Sequence, residues 1–462
     1  MNLTQKAAAY VANLSLGSVP ANVQDKARQA LRDHLGCALA GSLTDLGTIV
    51  RQTLILGPEG PALLLGTTRG AEPGLAAFCN AVAANALDFD DTSGAGHPGA
   101  SIIPAALAAA SLVNCSGSQF LTAIIAGYEV GLRVAAAIRP SWERYRQVHG
   151  IGTAQVFGAA AAASRILGLD AEAITRAFGI AGSLAPVPHA GKFGWDERPL
   201  TWMKDNTAWP AEAGLRSALL ARSGWQASRS ILDGPTGFWI MASSDRFEPG
   251  RLESYDSFLL LDLSFKPYPC CRWLHTALDA LGYLQVAHGL SPDSVGRVEV
   301  ETISPVSEQF MDRSPRTMVD AQFSLPYAIA MKLMNVEVGA WWSAVSRSLP
   351  KAHILMQRVE ARHNPMLTER YLAMGQHNGC IPASVSVWLT DGTRWEAYEE
   401  VALGEPRKPL SEDQLRHKFE VLTKHLLDKK SSQSLLEQLA NVQDLETVEP
   451  LFTLLRRSTT KV

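Results

Sequence analysis

The sequence predicts a mainly α protein: a large helical domain built from both chain ends, residues 1–258 and 403–462, with a smaller α+β domain, residues 259–402, inserted between them. Three observations predict it. The first half is a succession of Ala- and Gly-rich segments with apolar residues at helical spacing. Alternating runs rich in Val, Trp and Thr occur only in the later part, and the helical period returns from Ser411 to the end.

Taken in order, ANVQDKARQALRDHLGCALAG reads as a helix that stops at Gly41. SGSQFLTAIIAGYEVGLRVAAAI is a helix with Ser118 as N-cap, and Pro140 follows its end. TAQVFGAAAAASRILGLD is closed by Gly168 at the C′ position, and Asp170 then caps AEAITRAFGIAG. Small residues on several faces of these helices allow close backbone approach, as inner helices of a bundle require. GRVEVETIS, residues 296–304, alternates as a strand does. SVSVWLTDGTRWEAYEEV is a hairpin turning at Asp391-Gly392. Helices are expected around 318–334, 338–348 and 365–373, and Leu415, Phe419, Leu422 and Leu426 form one helical stripe near the end.

With 462 residues, 47% of them hydrophobic and 19% charged, the chain has material for a large core and about two or three domains. A formal net charge of -3, with basic residues scattered, argues against nucleic acid or an anionic membrane as the main partner. No uninterrupted apolar run reaches the ~18 residues of a spanning helix, and the start MNLTQKAAAYVANLSLG lacks the pattern of a signal peptide. A soluble, cytoplasmic protein without membrane contact is expected. The six cysteines include no CxxC pair, and Cys270 and Cys271 are adjacent, so reduced thiols are expected, with neither a zinc centre nor an iron–sulfur cluster.

The chemistry starts in DFDDTSGAGHPG, which places Asp88, Asp90, Asp91 and His97 between two apolar segments. Carboxylates in a core are costly unless they are paired, hydrogen-bonded or used in chemistry. As a plain Gly-rich turn the aspartates would be caps. A calcium loop counted from Asp88 needs a glutamate at its twelfth position, where Gly99 stands. A magnesium-dependent lyase using Asp88, Asp90 and Asp91 is the better rival, although no second acidic motif with clear spacing accompanies them.

His149 lies just before a helix that begins near Gly152-Thr153. The N–H groups and positive dipole end there suit a carboxylate ligand and favour a neutral imidazole able to take a proton. The plainer alternative is a loop histidine with one local hydrogen bond. Lys204 precedes a small-residue helix, either as a site cation or as an ordinary solvated helix-start residue. Lys266, Arg272 and His275 cluster in FKPYPCCRWLHTALDAL, and Tyr327 follows Pro326 into an apolar helix. Together these types suit removal of a proton next to a carboxylate: cations stabilise the enediolate, and histidine, tyrosine or a carboxyl group moves protons. Neither metal nor nucleotide is required. A helical scaffold without activity is the non-enzymatic alternative.

These motifs resemble, along nearly the whole chain, the MmgE/PrpD family, which includes 2-methylcitrate dehydratases, cis-aconitate decarboxylases and iminodisuccinate epimerases. The resemblance rests on ALDFDDT with its following HPG, HGIGTAQVFGAAAAASRILGLD, KPYPCCRWLHTALDAL, DAQFSLPYAIA, VSVWLTDGTRWEA and PLSEDQLRHKF. It implies a helical domain with an α+β lid, a homodimer, and a cofactor-independent site between the domains that takes a small di- or tricarboxylate. By position it carries Asp90, Thr92, His97, His149, Lys204, Lys266 and Tyr327 into the pocket. It implies a lyase that dehydrates or decarboxylates, with epimerisation of a dicarboxylate as the alternative. The chain departs from the family pattern at Gly150-Ile151, where many members carry Pro-Thr, and in the short segment before His97. Histidine placement after Lys266 also differs, so Cys271 joins Arg272 and His275 as a candidate for binding substrate, with a core position as the alternative for His275.

Overall fold

Small side chains decide how the helices pack. In the computed structural model, which describes residues 1–94, 96–149, 152–191, 196–203, 205–375 and 380–457, helix makes up 56% of the chain and strand 9%, and the protein is mainly α. The helices Gly117–Ala137 and Gln155–Ile166 approach so closely that a Cβ on Gly158 would lie 2.7 Å from the Gly127 carbonyl oxygen. The helix Gly99–Ala110 is buried on every face, as its all-round apolar sequence requires. Gly117–Ala137 is long and apolar enough to cross a membrane, but here it is packed inside the core. Its charged pair, Glu129 with Arg133, is buried, and Glu129 also accepts the N–H groups of Leu259 and Leu260 at 3.1 and 2.8 Å.

The hydrophobic interior is divided. One core gathers residues from Ala7 to Phe265 together with Leu415–Leu455, and the other gathers mainly Tyr268–Val387. The C-terminal helices return to the first: Gly117 N donates to Leu445 O and Val448 N to Cys115 O, both at 2.9 Å. The second core lies against a four-stranded sheet in the order Val359–His363, Val295–Thr302, Ala383–Leu389, Arg394–Glu399. The first two strands are parallel, with Val298 opposite Val359, and the other pairings are antiparallel.

Several local expectations are met. Gly168 takes φ +70° after the helix ending at Ile166, Asp170 accepts from Ala173 N at 2.8 Å, and Gly392 turns the hairpin with φ +91°. Others are corrected. The N-cap of Gly117–Ala137 is Ser116, not Ser118, because Gln119 completes a capping box only with Ser116. The stretch 318–334 is two helices, Met318–Gln322 and Leu325–Leu333: Ser324 is extended and caps the second, with Pro326 in its first turn. Around 338–348 there are only short turns, Val338–Ala340 and Ala344–Arg347. Leu426 is buried with its stripe but lies past the helix end at Thr423.

Candidate active site

The Asp-rich segment is the elbow between two buried helices. Pro73–Asn85 ends, Asp88 turns the chain with φ +51°, and Gly99–Ala110 begins just after His97-Pro98. A left-handed residue is the exception for a side chain other than glycine, and aspartate is among those that tolerate it. Thr92 and Ser264 then exchange backbone hydrogen bonds at 3.0 and 2.8 Å, and Phe265 N donates to Gly404 O at 3.0 Å. Gly404 has φ +92°, and a Cβ there would lie 1.8 Å from the Phe265 oxygen, so this contact requires glycine. These bridges carry Lys266 to the elbow. Its ammonium, fully buried, lies 3.1 Å from Asp88 Oδ1 and donates to the Asp88 carbonyl at 2.8 Å.

His97 stands at the centre. Nδ1 is 3.1 Å from Asp90 Oδ2, while Nε2 is 3.6 Å from Asp88 Oδ1 and 3.5 Å from Asp205 Oδ2. Asp90 also accepts from Asn85 Nδ2 at 3.2 Å. Burial alone would lower the imidazole pKa, but Asp90 and Asp205 outweigh it, and the net direction is upward from 6.5. The neighbouring carboxylates thus favour the protonated form of His97.

Asp91 faces the other way. It accepts Tyr128 OH at 2.6 Å and Gly99 N at 3.2 Å, and burial raises its pKa from 3.8 to about 7. Since the folded value is above the unfolded one, the stability tied to this carboxyl is full below pH 3.8 and is lost as pH rises towards about 7. Asp91→Asn is expected to remove that fall, on the order of 1 kcal/mol per pH unit. Urea midpoints measured across the acid range would check it, and an unchanged slope would refute it.

Asp88, Thr92, His97, Asp205, Arg139 and Cys271 line one cleft of about 140 Å³, closed on another side by aromatic rings. Thr92 Oγ1 is buried and has no hydrogen-bond partner among the described residues. Cys271 is a thiol whose pKa burial, with Asp88 adding to it, pushes up to about 12. Arg272 also lines the cleft, but its guanidinium is engaged: it donates from Nε to Glu405 at 2.8 Å and from Nη1 to the Leu403 carbonyl at 2.9 Å, and it contacts His275.

Two expected site residues are elsewhere. His275 is fully buried, held between Arg272 Nη1 and the Cys270 carbonyl, and burial keeps it neutral with its pKa well below the usual value. It is a core histidine. Tyr327 is also buried away from the cleft, because its hydroxyl donates to the Trp341 carbonyl; Phe323 reaches the cleft in its stead. Asp90 is fully buried behind His97 and does not line the cleft. Lys204 lies outside the described residues, as does the side chain of His149, whose backbone pairs with His189 beside Val148, a lining residue.

Sequence reasoning missed Asp205, one position past Lys204, and passed over Asp88 except as a metal ligand. Arg139 was missed too, since a basic residue after a helix end reads as ordinary dipole compensation. Donor atoms of Asp88, Asp90 and His97 lie within 4.8 Å of one another, close enough for a cation. However, the Lys266 ammonium already contacts Asp88 and the imidazole is wedged among carboxylates, so the cluster carries its own positive charge.

Comparison with known proteins agrees over the full length. The sequence model of the MmgE/PrpD N-terminal domain matches residues 5–249, and that of the MmgE/PrpD C-terminal domain matches residues 268–444. The cis-aconitate decarboxylase of Homo sapiens is 27% identical, with 98% of this chain and 95% of its own length covered. The cis-aconitate decarboxylase of Aspergillus terreus is 23% identical, covering 96% of this chain and 94% of its own.

Proposed function

The chain belongs to the MmgE/PrpD family and is a lyase of the decarboxylase or dehydratase type, and from that premise we propose that it moves a proton next to a carboxylate of a small carboxylic acid without a cofactor. One observation carries the reading: His97 presents Nε2 to the cleft between Asp88 and Asp205, while Asp90 holds Nδ1 from behind. The neighbouring carboxylates favour the protonated imidazole, and His97 is the proposed proton donor. In a decarboxylation the C–C bond to the departing carbon dioxide breaks, its electron pair delocalises into the unsaturated acid that remains, and the Nε2 proton is delivered to carbon. In a dehydration a base first takes the α-proton, and the imidazolium protonates the leaving hydroxyl. His149 is the proposed base and Lys204 an additional cation, both as expected from the sequence. Arg139 receives the substrate carboxylate. Lys266 holds Asp88 in position and offsets the charge that builds in the transition state.

Small polycarboxylates such as cis-aconitate and 2-methylcitrate are the first substrates to offer, in deuterated water with NMR detection. Deuterium incorporation next to a carboxylate is expected, and the product distinguishes loss of carbon dioxide, loss of water and inversion in a dicarboxylate. Binding without incorporation or turnover for every acid offered would refute the reading.

Cofactor independence rests on the charge that Lys266 and His97 supply within the cluster. Exhaustive chelation is expected to leave turnover unchanged. Loss of activity restored by magnesium would instead return Asp88, Asp90 and His97 as a ligand set.

A further inference from the structure

The wall facing the proton-transfer cluster is made of rings. Trp142 and Tyr145 come from the short helix Trp142–Gln147, while Trp273, Phe310, Phe323 and Tyr371 come from the later half of the chain. They form one continuous surface. Trp142 stacks on Tyr145 with centroids 5.9 Å apart and meets Tyr371 edge-on at 5.7 Å and Trp273 at 6.5 Å. Trp273 reaches Phe310 at 6.2 Å, and Phe310 meets Phe323 edge-on at 5.7 Å.

A compact acid with charge on every side has little to gain from such a wall. Its carboxylates would have to exchange water for aromatic faces, whose quadrupoles present negative charge. Among the described residues the basic side chains that line the cleft are His97, Arg139 and Arg272; Arg272 is engaged with Glu405, and Arg139 Nη1 donates to the Gly375 carbonyl at 3.2 Å. Trp142, Tyr145 and Trp273 remain partly exposed, so the wall is not simply a closed core.

We propose that the preferred substrate carries an apolar substituent of aryl or branched-alkyl size, seated on the Trp142–Trp273–Tyr371 wall, with a carboxylate directed to Arg139. The proposal rests on the proton-transfer reading of the same cleft and narrows its substrate class. The ring face selects the acid by its apolar arm, and the polar floor acts on the carbon beside its carboxylate.

The test is a ligand series on the intact protein: succinate, tricarballylate and benzylsuccinate, each followed by calorimetric titration and by deuterium incorporation. Burying an aryl group of this size strengthens binding by about tenfold to a hundredfold, so benzylsuccinate is expected to bind at least about tenfold more tightly than succinate. Trp142→Leu is expected to shrink that ratio to about threefold. Succinate or tricarballylate binding as tightly as benzylsuccinate to the unaltered protein would overturn the proposal, whatever the variant does. In that case deuterium incorporation into either of those acids would leave the proton-transfer reading standing. No binding and no incorporation with any member would overturn both.

Discussion

His97→Gln is expected to lower turnover by about 10²- to 10⁴-fold, the usual contribution of a positioned proton donor. The glutamine amide retains a donor for Asp90 Oδ2, which His97 meets at 3.1 Å, so the loss reports chemistry more than packing. A second readout separates the two. Carboxylates raise the imidazole pKa from 6.5, and the proposed mechanism has the protonated form donate. Activity should therefore fall as pH rises through this raised value, giving an alkaline limb above 6.5. That limb should disappear in the residual activity of the variant. A wild-type limb at or below 6.5, or a variant within about threefold of wild type, would remove His97 from proton transfer.

The largest effect on stability is expected at Lys266. The side chain is fully buried, and its ammonium is 3.1 Å from Asp88 Oδ1 and 2.8 Å from the Asp88 carbonyl oxygen. Lys266→Met takes the ammonium away from a buried carboxylate, which costs about 3–5 kcal/mol. Asp88→Asn alone leaves the ammonium uncompensated and is expected to cost a similar amount. Combining them removes both charges, so the double variant should be more stable than the sum of the two losses implies, by about 0.5–3 kcal/mol. Urea unfolding of the four proteins measures this coupling. Strict additivity would mean that the pair is not a stabilising unit, while a Lys266→Met loss below about 1 kcal/mol would mean that water reaches Asp88 readily.

Some of this was legible in the sequence because it is local. Gly168 with Asp170 separates two helices through caps that act over three or four residues, and Asp391-Gly392 turns a hairpin through its own φ preference. The strand Val359–His363 was not legible. It is short, largely exposed, and exists because Val295–Thr302 offers it a parallel edge. Tyr327 and His275 looked like site residues because their types suit proton transfer. Their hydrogen bonds run instead to the Trp341 and Cys270 carbonyls, and nothing in the neighbouring residues announces that.

By itself the sequence determined the mainly helical class and the family, and it offered the candidate inventory of the site: a run of aspartates, a histidine and a lysine from a Pro-rich segment. Each of these follows from residue type and short-range spacing, which survive without coordinates. Only the tertiary structure decided which aspartate faces the cleft, that Asp90 stands behind His97, that Arg272 is bound to Glu405, and that Trp142 meets Tyr371. The reason is the sequence distance over which these choices are made. Arg272 and Glu405 are 133 positions apart, so whether a guanidinium is free or engaged depends on a partner that chain folding, not local propensity, delivers.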